Sequence, residues 1–293
     1  MISLIIVNYN QGPYLGKAIA SVLEQTRRDW ELLIWDDGST DNSLAIARTY
    51  EQKDHRIRVI AAEHQGIGKA RKQALDATTG DYLGWIDGDD WIADTALEET
   101  AKVLDGNAAI GMVYTDYYDV TSRGKILGKG KRCNIPYSPQ RLLVDFMTFH
   151  FRLFRREVYE QTGGINTELK YAHDYDLCLR LSEITSVARV HQPLYYYRHH
   201  KKSISYSKRQ EQTQCSETSI NQALQRRGLA DDYILTVEGD RFCLKKKQDK
   251  VPQTPLVKGG LRGDRDLGGS KLFKTAATLI ATLPFATLAF QPA

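Results

Sequence analysis

The sequence predicts an α/β fold in which helices cover both faces of a parallel sheet. Over the first 115 residues, apolar runs of strand length alternate with segments whose apolar residues recur at helical spacing, a pattern typical of strand–helix–strand units. The acidic segment Asp87-Gly88-Asp89-Asp90 directly follows one such run, Tyr82–Ile86, at the kind of strand end where open α/β sheets bind ligands. The chain has 293 residues, of which 42% are hydrophobic and 26% are charged. This composition is ordinary for a globular protein and leaves room for one large domain and an appendage.

Five strands and four helices are predicted in this alternating part of the chain. The apolar runs predict strands at Ser3–Val7, Glu31–Trp35, Arg58–Ala61, Tyr82–Ile86 and Ile110–Thr115. Helical spacing predicts a helix that begins near Pro13, a helix that follows an N-cap at Ser39 or Thr40, and helices at Ile67–Leu75 and Ala93–Leu104.

The pattern is less regular after Asp116. We expect a hairpin at Tyr117–Leu127, a strand at Phe149–Phe154, helices at Arg156–Thr162 and Tyr175–Glu183, strands at Val187–Val190 and Leu194–Arg198, and a long helix at Ser207–Arg227. Residues 1–230 would then form one domain that ends with this C-terminal helix.

Two segments of different composition follow the domain. Residues 231–271 are predicted to be a basic linker, because residues 241–266 carry eight basic and three acidic side chains, and residues 248–271 are rich in glycine, proline and charge. The formal net charge of +4 is therefore concentrated in this linker. The rest of the chain is near neutral, and no nucleic-acid partner is predicted.

The apolar tail at residues 272–293 could span a membrane, lie in the membrane interface, or pack back on the domain. A spanning helix needs about 20 mostly apolar residues, and Pro284 interrupts this run. We therefore expect peripheral membrane contact. The four cysteines form no C-x-x-C pair, and the first residues resemble a strand rather than a signal peptide. These features predict a cytoplasmic protein that contacts the inner face of the membrane.

Four charged segments fall at predicted strand ends or helix starts, namely Asp36-Asp37, Gly66–Arg71, Asp87–Asp90 and His173–Asp176. The carboxylates of Asp87–Asp90 are the ligand type that Mg²⁺ and Mn²⁺ prefer, although an acidic turn is the alternative. Asp36-Asp37 could accept hydrogen bonds from a nucleotide or begin a helix. Gly66–Arg71 could hold an anion at a helix start or form a plain loop. Asp174 could be a base or a residue of an ordinary first helical turn.

Taken in this order, these segments resemble the family 2 glycosyltransferases, which are inverting enzymes with the GT-A fold. The resemblance covers about residues 1–225 and rests on Ser3–Asn10, Trp35–Asp41, Gly66–Arg71, Asp81–Trp91, Gly163–Asn166 with Ala172–Leu181, and Tyr197–His200. It implies a GT-A-like, Rossmann-type mixed sheet with helices on both faces. It also implies a donor half at residues 1–116 and an acceptor half at residues 117–230.

The resemblance further implies roles for individual side chains. Contacts to the nucleotide sugar are implied for Asn8, Asp37, Arg71, Asp87, Arg198 and His200. Asp37 would hold the uracil, Asp89 would ligate Mn²⁺ or Mg²⁺, and Asp174 would be the general base. Two positions depart from the family pattern. His173 stands where glutamate is usual, and the neighbouring His199 and His200 leave open which imidazole faces the site.

The implied function is the transfer of a sugar from a UDP-sugar to a hydroxyl of a glycan or glycolipid acceptor, with inversion. The base would activate the hydroxyl, and the metal would stabilise the leaving diphosphate. Two alternatives stay open, namely a non-catalytic nucleotide- or sugar-binding protein on the same scaffold and a nucleotidyltransferase. A dehydrogenase is not predicted, because no G-x-G-x-x-G follows the first strand.

Overall fold

The computed structural model describes residues 1–201, 203–239 and 241–247. The main sheet contains the strands β1 (Ile2–Asn8), β2 (Trp30–Asp37), β3 (Ile57–Ala62), β4 (Tyr82–Trp85), β5 (Trp91–Ile92), β6 (Ile110–Thr121), β7 (Ile126–Lys129), β8 (Arg152–Arg155) and β9 (Ser186–His199). Their order in the sheet is β3-β2-β1-β4-β8-β6-β9-β5, and β7 pairs with β6.

The sheet is mixed. Strands β3, β2, β1 and β4 are parallel neighbours, whereas β8 lies antiparallel between β4 and β6. Strands β6 and β9 are parallel to each other, and β5 is antiparallel to β9. The predicted α/β class and mixed sheet are confirmed. The first 115 residues predict a parallel sheet, and β1–β4 are parallel neighbours as predicted. The fifth predicted strand, β6, is not a neighbour of β4, because β8 from later in the chain lies between them.

Helices cover both faces of the sheet, as predicted. They are α1 (Gly12–Leu23), α2 (Ser43–Glu51), α3 (Ile67–Asp76), α4 (Ala96–Gly106), α5 (Arg156–Gln161), α6 (His173–Ile184), α7 (Ile204–Ser207) and α8 (Arg209–Arg226). Strand side chains alternate between two buried layers. Leu4 and Ile6 of β1 pack with α1, α2 and α4, whereas Ile5 lies on the other side with α3, α5, α6 and α8.

The second helix begins later than predicted. Helix α2 starts at Ser43 after Asn42, so the predicted N-cap at Ser39 or Thr40 is wrong. The Ser39 hydroxyl instead accepts hydrogen bonds from Asn8 Nδ2 and the Asn10 backbone N–H, at 3.0 and 2.9 Å. These bonds tie the loop after β2 to the end of β1.

Two further predictions differ from the structure near the end of the domain. The strands expected at Val187–Val190 and Leu194–Arg198 form one strand, β9, whose pairing with β6 shifts register near Pro193. A shift there accommodates a residue that has no backbone N–H to donate. The long helix expected at Ser207–Arg227 is divided into α7 and α8 at Lys208, where φ is −127° and ψ is 29°.

The predicted basic linker is wrong over its first part. Strands β10 (Tyr233–Glu238) and β11 (Arg241–Lys246) form an antiparallel hairpin. Alternate residues give the hairpin one apolar face, from which Leu235, Phe242 and Leu244 pack against the layer that contains α6 and α8. The lysines that suggested a linker lie mainly on its outer side.

The rest of the predicted linker and the apolar tail at residues 272–293 lie outside the described residues. Among the helices that the structure does describe, none has the length and apolar character needed to cross a bilayer.

Candidate active site

The candidate site lies where the parallel strands end. Asn8 is the last residue of β1, Asp37 is the last residue of β2, and Asp87 follows β4 by two residues. Because these strands are parallel neighbours, their carboxyl ends meet at one edge of the sheet, where α/β proteins bind ligands.

Asp37 organises the loop that leads into α3. Its side chain is 2% exposed, and its carboxylate oxygens accept hydrogen bonds from the backbone N–H groups of Gln65 and Gly66, each at 3.0 Å. His64 Nδ1 lies 2.9 Å from Asp37 Oδ2, and the His64 ring stacks on Tyr9 with centroids 4.1 Å apart. A carboxylate therefore stands beside a half-exposed aromatic pair, which is a suitable surface for a nucleobase.

Asn8 contributes a buried polar group to the same edge. Its Nδ2 donates to Asp36 Oδ2 at 2.9 Å and to Ser39 Oγ at 3.0 Å. Its Oδ1 is buried and has no hydrogen-bond partner among the described residues. A buried acceptor without a partner is costly, so Asn8 is suited to accept a hydrogen bond from a ligand.

Arg71 and Asp87 are brought together as an ion pair. Arg71 Nη2 lies 3.0 Å from Asp87 Oδ1, and the Arg71 guanidinium lies over the Trp85 ring. Burial raises the pKa of Asp87, and the charges of Asp89 and Asp174 act in the same direction against the opposing effect of Arg71. The carboxylate cluster is therefore one that a cation would stabilise.

Asp89 and Asp90 have different environments although they are adjacent. Asp90 is buried, and its carboxylate accepts hydrogen bonds from the Tyr195 hydroxyl at 2.8 Å and the Arg198 backbone N–H at 2.7 Å. Asp89 Oδ2 instead lies 2.7 Å from His200 Nε2. Asp90 thus holds the loop to β9, whereas Asp89 presents a carboxylate beside an imidazole.

The two neighbouring histidines lie beside different carboxylates. The His200 side chain is 6% exposed and contacts Asp89, whereas the His199 side chain is 52% exposed and contacts Asp119. Arg198 is engaged with the chain itself, because its guanidinium donates to the backbone carbonyls of Asp89 and Ser122 at 2.6 and 2.8 Å. Arg198 and His200 are the two predicted contacts to the diphosphate. The Arg198 guanidinium is bonded to backbone carbonyls, so the His200 imidazole is the better placed of the two.

Asp174 lies in the first turn of α6. Arg152 Nη2 is 3.3 Å from Asp174 Oδ2, and the Tyr175 backbone N–H donates to Oδ1 at 2.9 Å. Burial raises the pKa of Asp174, but the positive charges of Arg152 and Arg71 contribute to a net pKa below its usual value. The carboxylate is therefore ionised at neutral pH, as a general base must be.

His173, which departs from the family pattern, has a packing role. Its Nε2 lies 2.8 Å from the Leu169 carbonyl oxygen, and its ring is so close to α3 that a Cβ at Gly68 would fall 2.2 Å from Nε2. Burial, with Arg71 nearby, lowers the pKa of His173 to about 4. A neutral imidazole thus fixes α6 against the start of α3.

Two functional candidates, His150 and Arg152, are not predicted from the sequence. His150 Nε2 lies 3.7 Å from Asp87 Oδ2, its ring stacks on Tyr195 at 4.4 Å, and Arg152 pairs with Asp174. Burial lowers the pKa of His150 well below its usual value, with Arg152 adding to the effect. Neither residue belongs to a recognisable sequence motif. The pairing of β8 with β4 brings this segment of the chain beside Asp87 and Asp174.

The carboxylates and imidazoles fit a divalent cation. Asp87, Asp90 and His150 place ligand atoms within 4.8 Å of one another, and Asp89 with His200 forms a second close pair. Carboxylate oxygens are the ligands that suit Mn²⁺ and Mg²⁺. Since Asp90 is committed to Tyr195 and Arg198, Asp89 and Asp87 are the accessible carboxylates.

The comparisons with known proteins identify the family. The model of "Glycosyl transferase family 2" matches residues 3–163, which is more than half of the chain. The chain belongs to glycosyl transferase family 2. This confirms the resemblance predicted from the sequence, while the roles of the individual site residues stay predictions.

Curated relatives of this family 2 chain include two polysaccharide synthases. It is 30% identical to chondroitin synthase of Escherichia coli over 251 residues, which cover 86% of this chain and 36% of the relative. It is also 30% identical to hyaluronan synthase of Pasteurella multocida over 263 residues, covering 88% and 27%. The chain thus spans about a third of the length of these relatives.

Solved structures support the fold of this family 2 chain. TarS 1–349 of S. aureus in complex with UDP-GlcNAc has a TM-score of 0.62 at 20% identity, covering 78% of this chain and 70% of that one. The mannosyltransferase PcManGT of Pyrobaculum calidifontis, in complex with GDP-Man and Mn²⁺, has a TM-score of 0.60 at 19% identity, covering 76% and 64%. The predicted GT-A-like fold is confirmed.

Proposed function

We propose that this protein transfers a sugar from a UDP-sugar to a hydroxyl of a glycan or glycolipid acceptor, with inversion and with Mn²⁺ or Mg²⁺. The observation that carries the proposal is the pair of sites at the sheet edge. Asp89 and His200, 2.7 Å apart, would hold the cation, and Asp174, whose pKa the Arg152 charge lowers, would be the separate base. Membership of family 2 supports the same reaction.

The donor would occupy the edge formed by β1, β2 and β4. Asp37 and the Tyr9–His64 pair are suited to the uracil, and Asn8 Oδ1 and Asp87 can accept hydrogen bonds from the ribose or the sugar. Asp89 and His200 would hold the metal ion, with Asp87 as a further ligand. When bound, the ion supplies positive charge to the leaving diphosphate.

Asp174 would remove the proton of the attacking hydroxyl. A single displacement needs one base and inverts the anomeric configuration, in contrast to the two carboxylates of glycoside hydrolases. Arg152 Nη2 donates to the Asp174 carboxylate, and its positive charge lowers the pKa of Asp174 against the opposing effect of burial. The carbohydrate polymers in the names of two relatives, chondroitin and hyaluronan synthase, support a glycan acceptor for this chain.

A donor screen tests this function. Purified protein with Mn²⁺ is incubated with each of the common UDP-sugars, with and without an oligosaccharide mixture, and UDP release is measured. We expect one or a few donors to give UDP, with a higher rate when a suitable acceptor is present.

Two outcomes would contradict this function. Tight UDP-sugar binding without any UDP release would identify a binding protein. Release of pyrophosphate from UTP and a sugar 1-phosphate would identify a nucleotidyltransferase.

A further inference from the structure

A cavity adjoins Asp174. It has a volume of about 630 Å³, and Asp174 forms part of its wall. The other walls come from the 3₁₀-helix Lys131–Asn134, from residues 144–149, from α8 and from the hairpin of β10 and β11. This cavity is large enough for a sugar unit, and a hydroxyl held in it could reach the proposed base.

Arg132 places a positively charged guanidinium in the wall of this cavity. Its guanidinium lies over the rings of Phe149 and Phe146, 4.1 and 5.5 Å from their centroids. Its Nη1 is buried and has no hydrogen-bond partner among the described residues. Among the described residues, no carboxylate forms an ion pair with Arg132, and Asp116 pairs with Lys129 and Arg189 instead. A buried donor without an acceptor costs free energy, and a bound anion would remove that cost.

Each carboxylate that lines the cavity has a side-chain partner other than Arg132. The pairs are Asp145 with Arg141 at 2.9 Å, Asp174 with Arg152 at 3.3 Å, and Asp119 with His199 at 2.7 Å. None of these carboxylates is paired with Arg132. The cavity therefore has a cation that lacks an internal counter-charge.

Aromatic rings surround this cation. Phe146 and Tyr175 lie 4.7 Å apart, and Phe149 and Tyr197 lie 5.0 Å apart, and all four line the cavity. Such rings offer apolar faces to the C–H groups of a sugar, while a guanidinium can bind a carboxylate or phosphate with two parallel hydrogen bonds. The combination fits a sugar that carries an anionic group.

We infer that the acceptor of this protein is an acidic glycan, and that Arg132 binds its anionic group, a carboxylate or a phosphate. The inference rests on the proposed function, since Asp174 is what makes this cavity the acceptor site. Arg132 is then a specificity-determining residue, because a neutral acceptor would leave its buried Nη1 without a partner.

The test measures equilibrium binding of three matched oligosaccharides in the presence of UDP and Mn²⁺. One ends in a hexuronic acid, one is its carboxyl-reduced neutral counterpart, and one carries a phosphate. We expect the wild type to bind one of the acidic oligosaccharides roughly tenfold to a hundredfold more tightly than the neutral one. The acid that binds distinguishes a carboxylate from a phosphate.

Variants separate this contact from general charge attraction. In Arg132→Gln the ratio of acidic to neutral affinity should fall to about one, and Arg132→Lys should restore part of it. Lys102→Gln removes one positive charge from the exposed face of α4, away from the cavity, and should keep the wild-type ratio. Thermal unfolding confirms that the variants are folded. The comparison of acidic and carboxyl-reduced oligosaccharides on the wild type requires no variant, so it tests the inference even if a variant fails to fold.

The outcome distinguishes this inference from the proposed function. Equal wild-type affinity for acidic and neutral oligosaccharides, or a preference unchanged in Arg132→Gln, would overturn the inference while UDP release from a donor could still stand. An Arg132-dependent preference without UDP release from any donor would keep the inference for the cavity and contradict the proposed transfer.

Discussion

Replacing Asp174 by asparagine is expected to lower the rate of sugar transfer by about 10²–10⁴-fold, the range expected for loss of a general base. The amide keeps the size of the side chain and the N-terminal turn of α6, but it cannot take a proton from the acceptor hydroxyl. UDP affinity should stay near the wild-type value, because the Asp37 and Asp89 side chains of the donor edge are unchanged. Transfer rates and UDP binding are measured on the same preparation.

The control for this variant is Asp76→Asn, which removes a carboxylate from the exposed end of α3, where Asp76 pairs with Lys72. Its transfer rate should equal that of the wild type. A normal rate in Asp174→Asn would show that Asp174 is only a helix-start residue. Asp176 is then a poor substitute, because it is buried and held by Arg180 at 2.6 Å.

Removal of the metal-binding carboxylate is expected to have a comparable effect. Asp89→Asn should lower transfer by at least about a hundredfold, because the developing charge on the diphosphate loses its counter-ion. Wild-type protein should lose its activity in excess EDTA and regain it with Mn²⁺ or Mg²⁺. Rates are measured as UDP release over a series of metal concentrations, and thermal unfolding checks that the variant is folded.

The neighbouring exposed carboxylate of Asp94 provides the matched control. It lies outside the Asp89–His200 pair, so Asp94→Asn should retain the metal dependence of the wild type. Full activity of the wild type in EDTA, or a normal rate in Asp89→Asn, would show that the carboxylates after β4 have a structural role only.

The sequence predicts the first half of the fold well, because its signals are local. Strands β1–β4 and helix α3 agree with the apolar runs and helical spacing within about two residues. The insertion of β8 between β4 and β6 depends on pairing between Leu83 and Phe154, which are far apart in the chain. No local pattern contains that information, so the mixed order of the sheet follows only from the family resemblance.

The hairpin of β10 and β11 shows how composition can mislead. Its lysines suggest a linker, yet Phe242 and Leu244, two residues apart, pack against the domain. Apolar residues at every second position, the pattern of a strand with one buried face, were present in a segment with many charged residues. Composition therefore concealed a short strand pair whose stability depends on the surface it covers.

The candidate site could be predicted in part. Asp37, Asp87 and Asp89 follow strands, and parallel strands bring their ends together. The choice between His199 and His200 depends on where β9 ends, which the sequence does not define. His150 and Arg152 approach Asp87 and Asp174 through tertiary packing alone.

The anomeric configuration of the product tests the central claim most directly. An α-linked UDP-sugar that supports UDP release is incubated with its acceptor and Mn²⁺, and the new linkage is assigned by proton NMR. A single displacement with Asp174 as the one base predicts a β-linked product formed in equal amount to UDP. An α-linked product would contradict this mechanism, since retention requires either a second displacement or attack from the face of the leaving group.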